Sequence, residues 1–549
     1  MTSSVDIANV FQNKYKDLYN AELNTKEEIE NFESSLQHQV ASDSLVPDVS
    51  ASEVLKAIES LHHYKGDGLT DLMSDNLIHG SKILAEPLAV LFSLAIRHNF
   101  VPNEWRNTII IPIPKDTRKS LSSVENYRAI SLFSSVVKTY ELVLKNRLKD
   151  FLVTCDSQHG FKVGKSTNTC TLALEEVASY YMYKGSNVYS AFLDATKAFD
   201  RVDHIILFRK LLHRGVPAAY VRHLFSLYRK QRASVKWNNR LSDTFTISNG
   251  VKQGGILSPL FFCVYIDGLL ESLREKGLGC FYGNHYAGAL AYADDIVLLS
   301  PSVIVLQDML NICVDYCNSH KILLNCNKSF LSIFTKSSHP IIPVLSVKQP
   351  DSNGMMIENM ISYVKNPIHL GHRLQAGLLQ NEDVKFHYLD FNRKANAVLN
   401  TFAGCDPFQR VDLLSTYACS FYGSQLWDIS NIDNLFAAHR KALRKALCIP
   451  WRTHSGLLPY ITGKNSLEVQ LANRVSKFFD MCGNSSDASL RFMVASAPCN
   501  PWSKLGNNLK SISTSPTPLN NADVWYGNMI RDLLGLVGWR EEIEFLCTM

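Results

Sequence analysis

The sequence predicts an α+β protein of two or more subdomains, and three observations carry that reading. Its 549 residues exceed the ~250–300 at which a single hydrophobic core stops growing. Up to about residue 375, apolar strand-like runs, glycine turns and helical stretches alternate. From about 386 to 480 the apolar period is mostly helical.

Composition narrows the class. A hydrophobic fraction of 46% with 19% charged residues reads as globular rather than disordered. No run approaches the ~18 apolar residues of a membrane span, and the opening MTSSVDIANVFQNKYKDLYN lacks a secretion signal. Thirteen cysteines, an odd number without a C-x-x-C pair, argue against a disulfide framework or zinc knuckle and for a reducing intracellular compartment, cytoplasmic or nuclear. A net charge of +5 is compatible with a nucleic-acid partner and decides nothing more.

Along the chain, residues 1–45 are polar and read as a linker left from an upstream region, with a weak helical period near the start. Ser50 or Ser52 caps a helix that Gly66 and Gly68 end. Glu86–Asn99 carries apolar residues at helical spacing, and TIIIPIPK (Thr108–Lys115) is β-branched and hence a strand. HRKALRKAL (His439–Leu447) is helical. Residues 483–523, rich in Asn, Ser and Pro, read as loose, and VWYGNMIRDLLGLV reads as a short amphipathic helix that packs back.

Two segments carry aspartates in an unusual setting. In VYSAFLDATKAFDRVDH (188–204), the apolar run Val188–Leu193 delivers Asp194 at the end of a buried strand. In AGALAYADDIVLLS (287–300), two apolar runs flank Ala293-Asp294-Asp295, as in a strand–turn–strand hairpin. Adjacent strand residues face opposite ways, so neighbouring aspartates converge only at a turn. A plain surface turn is the bland alternative, but flanks apolar on both faces place the hairpin in a covered sheet. Carboxylates gathered at a semi-buried spot repel by roughly 4 kcal/mol per pair at ~4 Å. Divalent cations remove that cost, and all-oxygen ligation selects Mg²⁺. Two such ions clamp the attacking and leaving oxygens of an in-line phosphoryl transfer. Between the segments, GVKQGGILSPLFF (Gly250–Phe262) combines glycines that permit close backbone approach with a helix start at Ser258-Pro259, a natural anion site.

With these residues in view, FLDATKAFDRVDH resembles the first catalytic motif of reverse transcriptases, AYADD their Y/F-A-D-D box, and GVKQGGILSPLFF the glycine-bearing motif between them. The order and separation of the three match the reverse transcriptases of non-LTR retrotransposons. FYGSQLW (Phe421–Trp427) and the Trp-Arg-Thr-His block resemble C-terminal regions of the CR1/L2-like group.

The resemblance implies an RNA-directed DNA polymerase with a right-hand fold of fingers, palm with an antiparallel sheet, and helical thumb. RNA template, DNA primer or target, and dNTPs are the implied partners. Two Mg²⁺ ions are implied, held by Asp194, Asp294 and Asp295, with Asp194 and Asp294 the firmer ligands and Asp295 acting more indirectly.

NYRAISLFSSVVKTYELVLKNRL resembles the fingers motif, which makes Arg128 a triphosphate ligand with Lys115 beside it; Ala129 stands where the family carries proline. Gln253 and Gly254 would contact the incoming nucleotide, and Phe199 would close against its sugar. Asp200, one place on, reads as a turn or helix-start residue rather than a ligand. LLNCNKS makes Lys328 the candidate proton donor to pyrophosphate.

For nucleic acid, QHGFKVGKST offers Lys162 and Lys165 as phosphate contacts, with ordinary surface lysines the even alternative. HLGHRL resembles the primer-gripping hairpin, with Gly371 at its turn. Residues 228–240 interleave cations, Arg229, Lys230 and Arg232 among them, with Tyr228 and Trp237. Arg440, Lys441, Arg444 and Lys445 share one face of a thumb helix.

The domain division implied is 1–45 as linker, 46–380 as fingers and palm (core about 95–374), 381–455 as thumb and 456–549 as a partly disordered C-terminal extension. No endonuclease, integrase or RNase H residues are recognisable, so the chain is expected to be the polymerase part of a longer element. A maturase or telomerase-type enzyme, a non-catalytic RNA-binding derivative and an RNA-synthesising polymerase are the rivals; Phe199 and the Ala before Asp-Asp weigh against the last.

Overall fold

The computed structural model describes residues 3–512 apart from positions 22, 44, 67, 69–71 and 351–354. The expected helix in VWYGNMIRDLLGLV lies outside these residues.

One strand organises the molecule. Val188–Leu193 is the middle of a five-stranded sheet in the order Ser362–Tyr363, Phe330–Phe334, Val188–Leu193, Asp295–Ser300, Ala289–Tyr292. All pairings are antiparallel except that between Phe330–Phe334 and Ser362–Tyr363. Its side chains alternate between two separate cores. Ala191 and Leu193 join one that includes the helices Ser258–Glu275 and Val303–Ser319, while Val188 and Phe192 join another built on the helix Thr167–Tyr183. Burial on both faces is why the strand reads as an unbroken apolar run rather than an alternating one. Ile296 and Leu298 against Val297 and Leu299 repeat the division in the neighbouring strand.

A second five-stranded sheet joins Tyr127–Leu132, Asn107–Pro114, Gln231–Trp237 and Arg240–Leu241, with Phe245–Ile247 also paired to Gln231–Trp237. The helices Asn381–Thr401, Pro407–Tyr417, Asp433–Leu447 and Leu467–Gly483 share a core of their own around Phe391, Leu414, Leu435 and Val475. Their span agrees with the helical period read from the sequence.

Two expectations differ from what is found. Residues 1–45, read as a linker, form the helices Ser4–Tyr19 and Lys26–Ser42. The first seats Phe11, Tyr15 and Tyr19 on the second sheet, against Tyr127, Val235 and Phe245. The second buries Phe32 and Leu36, and a Thr25–Glu28 capping box starts it. An aromatic stripe at i, i+4 spacing is enough to dock a polar helix once a sheet face is offered. In the segment read as loose, Ala488–Ser496 and Lys504–Ile512 are helices. Ser503 donates to Glu176 Oε1 at 2.6 Å and Lys504 pairs with Glu175 at 2.7 Å, which ties this end to the helix Thr167–Tyr183.

Candidate active site

The strand Val188–Leu193 ends by presenting Asp194, and the segment after the helix Val303–Ser319 fixes it there. Asp194 N donates to Ser329 Oγ at 3.1 Å, and Asn325 N donates to Asp194 O at 2.8 Å. The same loop brings Lys328 Nζ to 3.4 Å from Asp194 Oδ2. That oxygen is buried yet accepts no hydrogen bond.

The strands Ala289–Tyr292 and Asp295–Ser300 meet through a two-residue turn, with Tyr292 paired to Asp295 and Ala293 at φ +58°. A left-handed alanine costs of order 1–2 kcal/mol, so something must hold it. Gln158, fully buried, does: its Oε1 accepts from Ala293 N at 2.9 Å and from Gly160 N at 2.8 Å. His159 N to Ala291 O and Ala291 N to Ser157 O extend the brace along the strand. Gly160 is needed there, because a Cβ on it would stand 2.6 Å from Ala293 N.

The three carboxyls influence one another. Burial raises Asp294 above the ordinary range, and Asp194 adds to the shift. Burial pushes Asp295 up to about 6, with contributions from Asp294 and Asp194. Arg128 and Lys328 partly offset the shift of Asp294, and Lys328 that of Asp295.

Among the described residues no three His, Cys, Asp or Glu side chains form a ready-made metal cluster. The donor set nevertheless fits Mg²⁺, which takes one or two carboxylates and completes its shell with water and substrate phosphates. The Asp194 oxygen that accepts no hydrogen bond and the repulsion between the carboxyls are what such an ion would relieve.

Cations rim the carboxylates. Lys115 is pulled below its ordinary range by burial, then by Lys328, with Lys197 and Arg128 also acting on it. Glu125 counters them: its carbonyl accepts from Lys115 Nζ at 3.0 Å, and its carboxylate lies 3.3 Å from Lys14 and 3.8 Å from Lys197. Lys115, Arg128 and Lys328, singled out from the sequence, are thus brought together. Lys197 and Lys14 were missed, although Lys197 lies only three residues after Asp194.

Gln253 and Gly254 lie against the strand Tyr127–Leu132. Ser131 N donates to Gln253 O at 2.7 Å, and Gly254 has φ +125°, with Ser131 O 2.4 Å from where its Cβ would be. Phe199 stacks on Phe262 with centroids 4.4 Å apart. The helix start at Ser258 is not a free anion site: Glu141 Oε2, buried, already accepts from Ile256 N at 2.6 Å.

The expected nucleic-acid contacts divide. Lys165 is buried on Asp487 at 2.7 Å, and Lys162 donates to the Thr154 and Cys155 carbonyls at 2.6 Å. Both are structural ties rather than free phosphate ligands, a correction the sequence could not supply. Arg229 pairs with Glu33, Arg440 pairs with Glu468, and Arg444 donates to Thr453 O at 2.8 Å. Arg232, Lys441 and Lys445 are exposed, and Lys230 has φ +59°. Gly371, at φ +85°, turns the hairpin Ile368–His369/His372–Arg373, and Tyr422 Oη donates to Leu370 O at 2.9 Å.

Carboxylates at the ends of strands in a covered, largely antiparallel sheet, a glycine-bearing loop and a cationic rim lie together in a protein of mixed α and β structure, an arrangement consistent with a polymerase fold. The chain belongs to the reverse transcriptase (RNA-dependent DNA polymerase) family, whose model matches residues 113–389. It is 25% identical over 502 residues to a probable RNA-directed DNA polymerase from transposon BS of Drosophila melanogaster, covering 85% of this chain and 53% of that protein. It is 23% identical over 449 residues to the corresponding protein of transposon X-element from the same organism, covering 77% and 47%. A Pol polyprotein from the retrotransposable element R2DM, also of Drosophila melanogaster, is 29% identical over 232 residues, covering 42% and 22%. The chain spans about half the length of the two transposon polymerases. These relatives bear out the resemblance to reverse transcriptases of non-LTR retrotransposons. No described helix is long and apolar enough to cross a membrane.

Proposed function

We propose that this chain copies an RNA template into DNA, extending a primer with dNTPs by two-metal nucleotidyl transfer. The observation that carries the reading is the buried Asp194 Oδ2, which accepts no hydrogen bond and has only the Lys328 charge near it, beside the mutually repelling Asp294 and Asp295 and beneath a rim of lysines and arginine. Asp194 and Asp294 would hold two Mg²⁺ ions, with Asp295 acting through its charge. When bound, the ions supply charge neutralisation for the attacking 3′-hydroxyl and the leaving pyrophosphate.

The chain's own residues do the rest. Arg128 and Lys115, joined by Lys197, hold the triphosphate by charge-assisted contacts. Lys328, beside Asp194, is placed to give a proton to the leaving group. Phe199, held by Phe262, walls the sugar against a 2′-hydroxyl, and Gln253 with Gly254 floors the pocket. On this reading the central sheet is the palm and the second sheet belongs to the fingers, together 46–380. Residues 381–455 form the thumb, whose Lys441 and Lys445 face the template–primer duplex with Arg232 as a further contact, and Gly371 turns a primer-gripping hairpin. Residues 456–549 are a C-terminal extension. The scattered cysteines without a C-x-x-C pair favour a cytoplasmic or nuclear setting on this reading.

Primer extension on an RNA template with dNTPs or NTPs tests the assignment. Extension with dNTPs, at least tenfold better than with NTPs and relaxed by Phe199→Ala, is expected. No extension under varied conditions would sink the polymerase reading, and equal use of NTPs would remove the role given to Phe199.

A further inference from the structure

The helix Ser4–Tyr19 ends against the loop that carries Gln253. Tyr19 O accepts from Ser248 N at 2.9 Å, Asn249 Nδ2 donates to Leu18 O at 3.1 Å, and Ala21 N donates to Asn249 Oδ1 at 2.9 Å. On its other side the loop is fixed to the segment after Asp194. Gly250 N donates to Val202 O and Val251 N to Phe199 O, both at 2.8 Å, while Asn249 Nδ2 also donates to Asp200 O at 2.7 Å. Gly250 fits so closely that a Cβ on it would meet Asp200 O at 2.7 Å.

Between these backbones runs one side-chain chain. Tyr19 Oη donates to Asp200 Oδ1 at 2.8 Å, and Gln253 Nε2 donates to both Asp200 oxygens at 3.3 and 3.4 Å. Tyr19 and Asp200 are buried, at 2% and 5% exposure, while Gln253 is half-buried. An ionised carboxylate only accepts. It therefore draws Nε2 inward and leaves the amide's Oε1 and second N–H for whatever enters. A buried carboxylate is expensive to keep unless its lone pairs are used, and here the side-chain donors using them are Tyr19 and Gln253.

We infer that Tyr19 and Asp200 are positioning residues that orient the Gln253 amide toward the incoming nucleotide, which makes the N-terminal helix a working part of the nucleotide pocket. The inference rests on the proposed function only in placing Gln253 at that pocket. Tyr19→Phe removes one hydroxyl oxygen and keeps the ring that docks the helix, so the fold is retained.

The test is equilibrium binding of dTTP opposite a template adenine, on an RNA template with a dideoxy-terminated primer and Mg²⁺, which requires no turnover. Tyr19→Phe and Asp200→Asn should each weaken dTTP binding about five- to tenfold, the size of one ordinary net hydrogen bond, because the lost contact acts on the nucleotide only through the Gln253 amide. Binding of the primer–template itself should stay within twofold. In a Gln253→Ala background, Tyr19→Phe should add nothing, because the amide it orients is gone. An equal loss in both backgrounds, or no loss from Tyr19→Phe with Gln253→Ala still harmful, overturns the inference. A chain that binds dTTP with this pattern yet fails to extend a free primer refutes the polymerase reading and leaves the inference standing; a chain that binds no dTTP refutes both.

Discussion

Gly160→Ala should cripple catalysis while leaving the chain folded. The added Cβ would stand 2.6 Å from Ala293 N and 3.0 Å from Gln158 Oε1, where ordinary contact begins at 3.4 Å. About 0.8 Å must therefore be found, and neither neighbour is a flexible side-chain end. One is the backbone of the turn that carries Asp294, and the other is the buried amide that holds that turn. A displacement near 1 Å at a reacting centre costs on the order of 100-fold in rate, and overpacking of this kind costs about 1–3 kcal/mol of stability. The assay is single-turnover incorporation of one dNTP at saturating template–primer, with thermal unfolding measured in parallel. Gly404→Ala, where no atom lies within 4 Å of the new Cβ, is the control and should retain native rate. Incorporation by Gly160→Ala within threefold of native would refute the claim that Gln158 and Gly160 set the hairpin's place.

Three further outcomes follow from burial and charge. The Glu53 carboxyl is held down at about 2 by its hydrogen bonds with Arg147. Its stabilising effect is therefore full above pH 4.5 and lost as pH falls through 2; for this partly exposed pair it is about 1 kcal/mol after solvent screening. Glu53→Gln should lower Tm at pH 7, and the gap to the native chain should close across that acid window. Lys165→Met should cost about 3 kcal/mol by stranding buried Asp487 without changing the salt dependence of template–primer binding, read by denaturant unfolding and a salt titration. Lys441→Ala/Lys445→Ala should do the reverse, with stability retained and the log–log salt slope reduced by about 2.

What the sequence made legible was local. The strand ending in Asp194 and the hairpin around Asp294 are legible because both faces of those strands are buried, leaving mostly apolar runs that end in carboxylates. Asp200, a turn or helix-start residue by sequence, lies in the short 3-10 helix Phe199–Arg201, but nothing nearby in sequence announces Tyr19 as its partner. Lys162 and Lys165 look like any surface lysines until distant Asp487 and the Thr154 and Cys155 carbonyls come close. The N-terminal helix shows in the sequence as a weak helical period, but its docking is not legible there, since Phe11, Tyr15 and Tyr19 declare themselves only against the second sheet. Gln158 is similar: its purpose exists only because Ala293 turns back onto it.

The most direct test of the account is primer extension on an RNA template with dNTPs across a Mg²⁺ titration, comparing the native chain with Asp194→Ala and Asp294→Ala. Mg²⁺-dependent extension by the native chain is predicted, with both variants folded, as judged by unfolding, and at least 1,000-fold slower, since removing a metal-holding carboxylate forfeits several kcal/mol of transition-state stabilisation, roughly tenfold per 1.4 kcal/mol. Extension by either variant within tenfold of native at the same Mg²⁺ concentration would contradict the assignment of these carboxylates.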